Sequence, residues 1–230
     1  MEVKQGIFYG VGVGPGDPEL LTMKALRTLE RCPVVAAPRT KSGGALALDI
    51  VRRAVSLDGK ILLPLEFTMS RDPEVLREAR QKAADAVEAH LSSGRDVAML
   101  NLGDVSIYAT FGYLMDLIAE RGYEAVMIPG VPSFCAVAAR LGVSLTGAGS
   151  PLHILPAGGS LAEQLDLPGT KVLMKAGKQL PQAAELLWRR GLLEKAAMVQ
   201  DCGLPTERVC RDLGCPPKDT GYFATIVVKE

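Results

Sequence analysis

Three short segments carry residue types from which a small-molecule site can be built. The first, Gly10-Val-Gly-Val-Gly-Pro-Gly-Asp17, sets glycines ahead of a carboxylate. A second, Asn101-Leu-Gly-Asp-Val-Ser-Ile-Tyr108, joins glycine, carboxylate and phenol, and a third is Pro129-Gly-Val-Pro-Ser133. The glycine loop invites comparison with a dinucleotide fingerprint, but the spacing fails. Counting from Gly10 the sixth position is Pro15, and from Gly12 it is Asp17, so G-x-G-x-x-G is never completed. No acidic residue closes the second strand to hold a ribose; Pro38-Arg39 stands there. Nor does the chain contain a G-x-x-x-x-G-K-[ST] phosphate loop. Pyrophosphate needs free amides at a helix N-terminus. Asp17, placed as an N-cap, would occupy those amides and repel a phosphate. The loop therefore suits a cofactor without phosphates, or is a plain strand-to-helix turn. Gly103 permits close backbone approach, and Asp104 offers acceptors to a hydroxyl or ammonium group. Such loops at the carboxyl ends of parallel strands favour one shared pocket over independent turns.

The elements that must position these loops follow from periodicity. Strands are predicted over 6–12, 33–37, 60–63, 96–101 and 125–128, and helices over 17–31, 45–55, 73–91 and 110–121. In the 73–91 helix, Leu76, Ala79, Ala83, Val87 and Leu91 recur three or four apart as one apolar stripe, and Gly94 stops it. Residues 129–132 break the rhythm with two prolines and a glycine. Beyond them a helix over 133–141 leads to strands near 152–155, 171–174, 196–199 and 224–228. Helices are expected near 161–165, 179–190 and 206–212. The pattern predicts α/β architecture in two domains, residues 1–128 and 133–230, joined by a loop at 129–132, with a cleft between them.

The 230 residues carry 26 Lys+Arg against 26 Asp+Glu, which argues against nucleic acid as a main partner. Hydrophobic content of 48% excludes a disordered chain, and no apolar run approaches a membrane span. The absence of an N-terminal signal core places the expectation in the cytoplasm. Five cysteines (Cys32, Cys135, Cys202, Cys210, Cys215) without a C-x-x-C spacing give neither a disulfide framework nor a metal site. His90 and His153 read as ordinary side chains.

At the three loops the chain resembles the tetrapyrrole (corrin/porphyrin) methyltransferases, over essentially its whole length. Gly12-Val-Gly-Pro-Gly-Asp-Pro-Glu-Leu-Leu-Thr22 is similar to that family's opening loop, and Leu102-Gly-Asp-Val-Ser-Ile-Tyr108 to its central Gly-Asp loop. Most relatives place a proline after that aspartate. Val-Ser-Ile-Tyr, followed by Ala109-Thr-Phe111, and Gly130-Val-Pro-Ser-Phe134 resemble the branch that methylates carbon 20 of precorrin-2 or its cobalt form. Residues 150–169 and 210–220 match nothing diagnostic.

The resemblance implies the class III methyltransferase fold, a homodimer, and S-adenosylmethionine held in the cleft between two α/β domains. Implied cofactor contacts are Pro15, Leu102, Gly103, Asp104, Ile107, Pro132 and Ser133. From the second domain come Met174, Asp201, Cys202, Gly203, Ala224 and Thr225. The implied reaction moves a methyl group from the sulfonium to an electron-rich meso carbon. That transfer needs alignment and no enzyme nucleophile. A proton must then leave carbon 20; Asp104 is the candidate base, against the simpler expectation that it only holds the cofactor. A substrate with eight carboxylates calls for local donors, and Arg39, Lys41, Ser42 and Tyr108 are the candidates, with the amides of Gly43 and Gly44 beside them. Rival readings are a sibling methyltransferase acting on another corrin carbon or on a modified histidine, a nicotinamide-dependent oxidoreductase, and a non-catalytic ligand-binding regulator. The Val-Ser-Ile-Tyr loop speaks against the siblings, and the failed fingerprint against the oxidoreductase.

Overall fold

In the computed structural model the described residues are 4–39, 45–68, 70, 72–157, 161–215, 217 and 219–229. They form two compact units, Met1–Pro132 and Ser133–Glu230.

The first unit is built on five parallel strands: β1 (Phe8–Gly12), β2 (Val34–Arg39), β3 (Ile61–Glu66), β4 (Val97–Asn101) and β5 (Ala125–Ile128). Their order across the sheet is β3-β2-β4-β1-β5. β1 and β4 are buried at every position, as expected of strands covered on both faces. Side-chain alternation divides the core. Tyr9, Val11, Val35 and Leu100 meet α1 (Met23–Arg31) and α2 (Leu46–Arg52). Phe8, Val34, Val97 and Met99 meet α3 (Pro73–Leu91) and α4 (Phe111–Glu120). The long helix has its predicted bounds. Asp72 caps it by accepting from the Glu74 amide, Pro73 opens it, and Gly94, at φ 76°, receives the chain beyond it. Ala83, Ala84, Val87 and Leu91 are its buried stripe.

Instead of the single helix expected over 17–31, the chain makes two shorter elements. Asp17 caps one 3-10 turn, Pro18–Leu20. Leu21 and Thr22 are extended, and the Thr22 hydroxyl accepts from the Ala25 amide at 3.1 Å, giving α1 its own cap. A local side-chain acceptor at Thr22 competes with helix continuation and wins.

In the second unit α5 (Ser133–Leu141) comes first, followed by β6 (Leu152–Pro156), α6 (Leu161–Gln164), β7 (Thr170–Met174), α7 (Leu180–Arg189), β8 (Ala196–Gln200), β9 (Arg208–Cys210) and β10 (Ala224–Val228). The sheet order is β6-β7-β10-β8-β9. Among the described residues of this unit only β6 and β7 pair in parallel; β10 lies antiparallel between β7 and β8. Leu161, Leu173, Leu180, Leu187, Met198 and Ile226 pack in the core that α6 and α7 close.

The expectation of a helix over 206–212 is corrected: β9 is there, antiparallel to β8 with Gln200 opposite Arg208. Asp201 (φ 51°) and Gly203 (φ 81°) reverse the chain after β8. The returning segment then meets the open edge of β8, where ladder hydrogen bonds outweigh a weak helical pattern.

Candidate functional site

In the first unit the three loops leave the carboxyl ends of adjacent strands, because β4, β1 and β5 are neighbours in that order. The glycine loop and the Gly103 loop are hydrogen-bonded reciprocally: Gly103 N–H donates to the Gly14 carbonyl at 2.8 Å, and Gly14 N–H to the Gly103 carbonyl at 3.2 Å. The third loop approaches so closely that a Cβ on Gly130 would stand 2.3 Å from the Gly103 oxygen. Only glycine fits there. Thr22, while capping α1, also donates its hydroxyl to the Pro129 carbonyl at 3.3 Å.

Asp104 ties this edge together. One carboxylate oxygen accepts from the Gly130 amide at 2.8 Å. The other accepts from the Ser106 amide at 2.8 Å and from the Ser106 hydroxyl. Burial raises the carboxyl's pKa, but the Ser106 and Gly130 hydrogen bonds outweigh it and hold the group below the usual carboxylate value. Both oxygens are engaged by the fold, and a carboxylate so stabilised is a weak proton acceptor. The arrangement favours the holding role over that of a base. Pro15, Gly103 and Asp104 are buried, while Leu102 and Ile107 are half-buried. Tyr108 is exposed, with φ 49°. Pro132 is the last residue of the first unit, and Ser133 begins α5.

In the second unit the remaining candidates gather at one edge of the sheet. Met174 ends β7, Gln200 ends β8, and Ala224 and Thr225 open β10 between them, with Ala224 opposite Gln200. The Ala176 amide donates to the Ala224 carbonyl at 2.9 Å, and the Asp201 amide to the Phe223 carbonyl at 3.1 Å. Non-glycine residues with positive φ among the described residues are Tyr108, Lys175 (φ 59°) and Asp201. Lys175 and Asp201 directly follow β7 and β8 in the second unit, and Tyr108 lies in the loop after β4 in the first. Such backbone costs on the order of 1–3 kcal/mol each and concentrates at ligand-binding positions.

Cys202 is buried, and burial followed by the neighbouring Glu207 pushes its thiol up to about 11. It is therefore a protonated thiol at neutral pH, and its candidate contribution is backbone. Burial likewise drives the Cys32 thiol to about 12. Among the described residues no three His, Cys, Asp or Glu side chains are placed to hold a metal ion.

Of the substrate candidates, Arg39 ends β2 on the same carboxyl edge of the first sheet and is exposed. It also lines a groove of about 850 Å³ with Glu66, Phe67, Glu78 and Lys82. Lys41 and Ser42, with Gly43 and Gly44, lie outside the described residues. Sequence reasoning did not find the partners that hold the loops: Gly130 on Asp104, Thr22 on Pro129, and Glu207 on the 201–203 turn. Only the capping spacing of Thr22 before Ala25 carried a local signal.

A family model described as Tetrapyrrole (Corrin/Porphyrin) Methylases matches residues 8–214. The chain belongs to this family. It is 36% identical over 194 residues to the probable cobalt-precorrin-2 C(20)-methyltransferase of Methanocaldococcus jannaschii, covering 82% of each chain. To the cobalt-precorrin-2 C(20)-methyltransferase of Salmonella typhimurium it is 31% identical over 231 residues, 98% of this chain and 97% of that one. Among solved structures it is similar to the Thermus thermophilus uroporphyrin-III C-methyl transferase complexed with S-adenyl homocysteine. There the TM-score is 0.71, with 24% identity and 98% of each chain covered, a likeness of fold. As a tetrapyrrole methylase, the protein has two α/β units, the first with a parallel sheet and the second with a mixed one.

Proposed function

We propose that this tetrapyrrole methylase is an S-adenosylmethionine-dependent C-methyltransferase acting on carbon 20 of precorrin-2 or cobalt-precorrin-2 in cobalamin biosynthesis. The observation that carries the reading is the hydrogen-bonded edge made by the loops after β1, β4 and β5. Its backbone carbonyls and the Asp104 carboxylate supply negative potential, and Asp17 already accepts the Glu19 amide at 2.9 Å. That set of acceptors fits a cofactor that is cationic and lacks phosphates. The Val105-Ser-Ile-Tyr108 segment directs the reading toward carbon 20.

In this reading Pro15, Leu102, Gly103, Asp104, Ile107, Pro132 and Ser133 hold the cofactor, together with Met174, Asp201, Cys202, Gly203, Ala224 and Thr225. The bound cofactor supplies a methyl group on a sulfonium. The protein's own contribution is positional. Glycine loops let backbone carbonyls approach a cation closely, and fixed dipoles there cost no reorganisation when charge moves. Asp104 ties the loop after β4 to the loop after β5, and the Gly14–Gly103 backbone bonds add the loop after β1. Orientation of the two reactants is the main source of acceleration, because the reduced macrocycle is itself the nucleophile. Arg39 and Tyr108, with Lys41 and Ser42, are assigned to the substrate's carboxylates. The protein is further read as a cytoplasmic homodimer; among the described residues no helix is long and apolar enough to cross a membrane.

Incubation with S-adenosylmethionine and precorrin-2, with and without cobalt, is expected to add one methyl group by mass, placed at carbon 20 by NMR. Cofactor binding without transfer to either substrate would overturn the assignment. Arg39→Ala is expected to raise the tetrapyrrole KM roughly tenfold, the loss of one charge-assisted contact, with cofactor affinity unchanged. An unchanged KM removes Arg39 from the site.

A further inference from the structure

The turn after β8 is held by two carboxylates, one on each side. Asp201, itself at φ 51°, accepts through one oxygen from the Gln200 side-chain amide at 3.0 Å and from the Thr206 hydroxyl at 3.0 Å. On the other side Glu207 accepts from the Gly203 amide at 2.9 Å. The Cys202 thiol also hydrogen-bonds to Glu207. Glu207 is in turn clamped by Arg140 Nε of α5, 67 residues earlier in the chain. The Glu207 side chain is only 18% exposed, against 57% for Arg140. Backbone bonds from Leu204 N–H to the Asp201 carbonyl (2.9 Å) and from Glu207 N–H to the Leu204 carbonyl (3.0 Å) complete the loop. Gly203 thus has its positive-φ backbone pinned by a side chain whose own orientation is set from α5.

Resting on the reading of residues 201–203 as cofactor contacts, we infer that Glu207 is a positioning residue. Its carboxylate, oriented by Arg140, fixes the Gly203 amide and so preorganises the Asp201-Cys202-Gly203 turn for the cofactor. The sequence marks neither member of the pair. Burial raises the Glu207 pKa, but the Gly203 amide and Arg140 outweigh it, so the group stays ionised and an acceptor at neutral pH. With its Arg140 partner 57% exposed, the Arg140–Glu207 pair is screened by solvent and adds little to global stability. A turn that must be ordered on binding loses affinity instead, because the ordering entropy is then taken from the binding free energy. Glu207 is therefore expected to influence affinity more than folding.

Titration calorimetry with S-adenosylhomocysteine and thermal unfolding of the full chain separate these effects. Glu207→Ala is expected to weaken binding about tenfold while the unfolding midpoint moves by only a few degrees. Glu207→Gln keeps an oxygen for the Gly203 amide and should recover most of the affinity, to within about threefold of the parent protein. Arg140→Ala, which removes only the clamp, should fall between the two. Parent-like affinity in Glu207→Ala, or a Gln variant no better than the Ala variant, would overturn the inference. If the parent protein itself fails to bind S-adenosylhomocysteine, the cofactor reading falls, and this inference with it. Should the Ala variant not fold, the comparison of Gln and Arg140 variants decides.

Discussion

Asp104 shows how one side chain can be legible by type and yet have its role decided by partners. Its position in a strand-end Gly-Asp pair marks it as a candidate, but nothing local announces that Gly130, 26 residues on, will occupy one of its oxygens. Its carboxyl is held below the ordinary value of 3.8, so its contribution to stability is present above that pH and is lost as pH falls through the lower folded value. Asp104→Asn is accordingly expected to cost about 1–3 kcal/mol at neutral pH, with the gap to the parent protein closing in acid below 3.8. Urea unfolding across that range measures it. The same variant discriminates the roles at the site. A holding group predicts weaker cofactor binding with turnover at saturating cofactor within several-fold of normal, whereas a base predicts collapse of kcat. The strained positions Tyr108, Lys175 and Asp201 were not legible at all. A non-glycine residue with positive φ is imposed by the ends of its loop, not chosen by its own propensity.

Elements with a strong local signal follow expectation. Helix α3 has its cap, its proline, its apolar stripe and its glycine stop all within its own neighbourhood, and its bounds were read directly. Expectation fails where a short polar residue or a sheet edge competes. Thr22 ends the first helical run because its hydroxyl serves both the Ala25 amide and the Pro129 carbonyl. Removing it by Thr22→Ala is expected to cost about 1 kcal/mol of stability, a typical capping loss, while Thr22→Ser retains most of it. Chemical denaturation of the two variants checks this. The segment Arg208–Cys210 is too short to declare itself, and it becomes a strand because β8 presents an edge to it. Helix α5 matched its predicted bounds, but its Arg140 finds Glu207 only once the chain has folded.

At the scale of the molecule, 26 cationic and 26 anionic side chains leave no surplus for a polyanion, and a small polycarboxylate needs only a local group such as Arg39. A homodimer is expected from light scattering coupled to gel filtration, read as twice the chain mass; a monomer at micromolar concentration would remove that part of the proposal. The sequence by itself determined the α/β class, most of the strands and helices, the glycine-bearing loops at the strand ends, and the family. These rest on periodicity, turn chemistry and local motifs, all written in neighbouring residues. Only the tertiary structure decided the strand order that makes the Gly12, Gly103 and Gly130 loops adjacent, the antiparallel placing of β10 between β7 and β8, and the partners that hold each loop. Those depend on which distant segments meet once the apolar faces are buried, and a contact between residues far apart in the chain leaves no periodic trace in either of them.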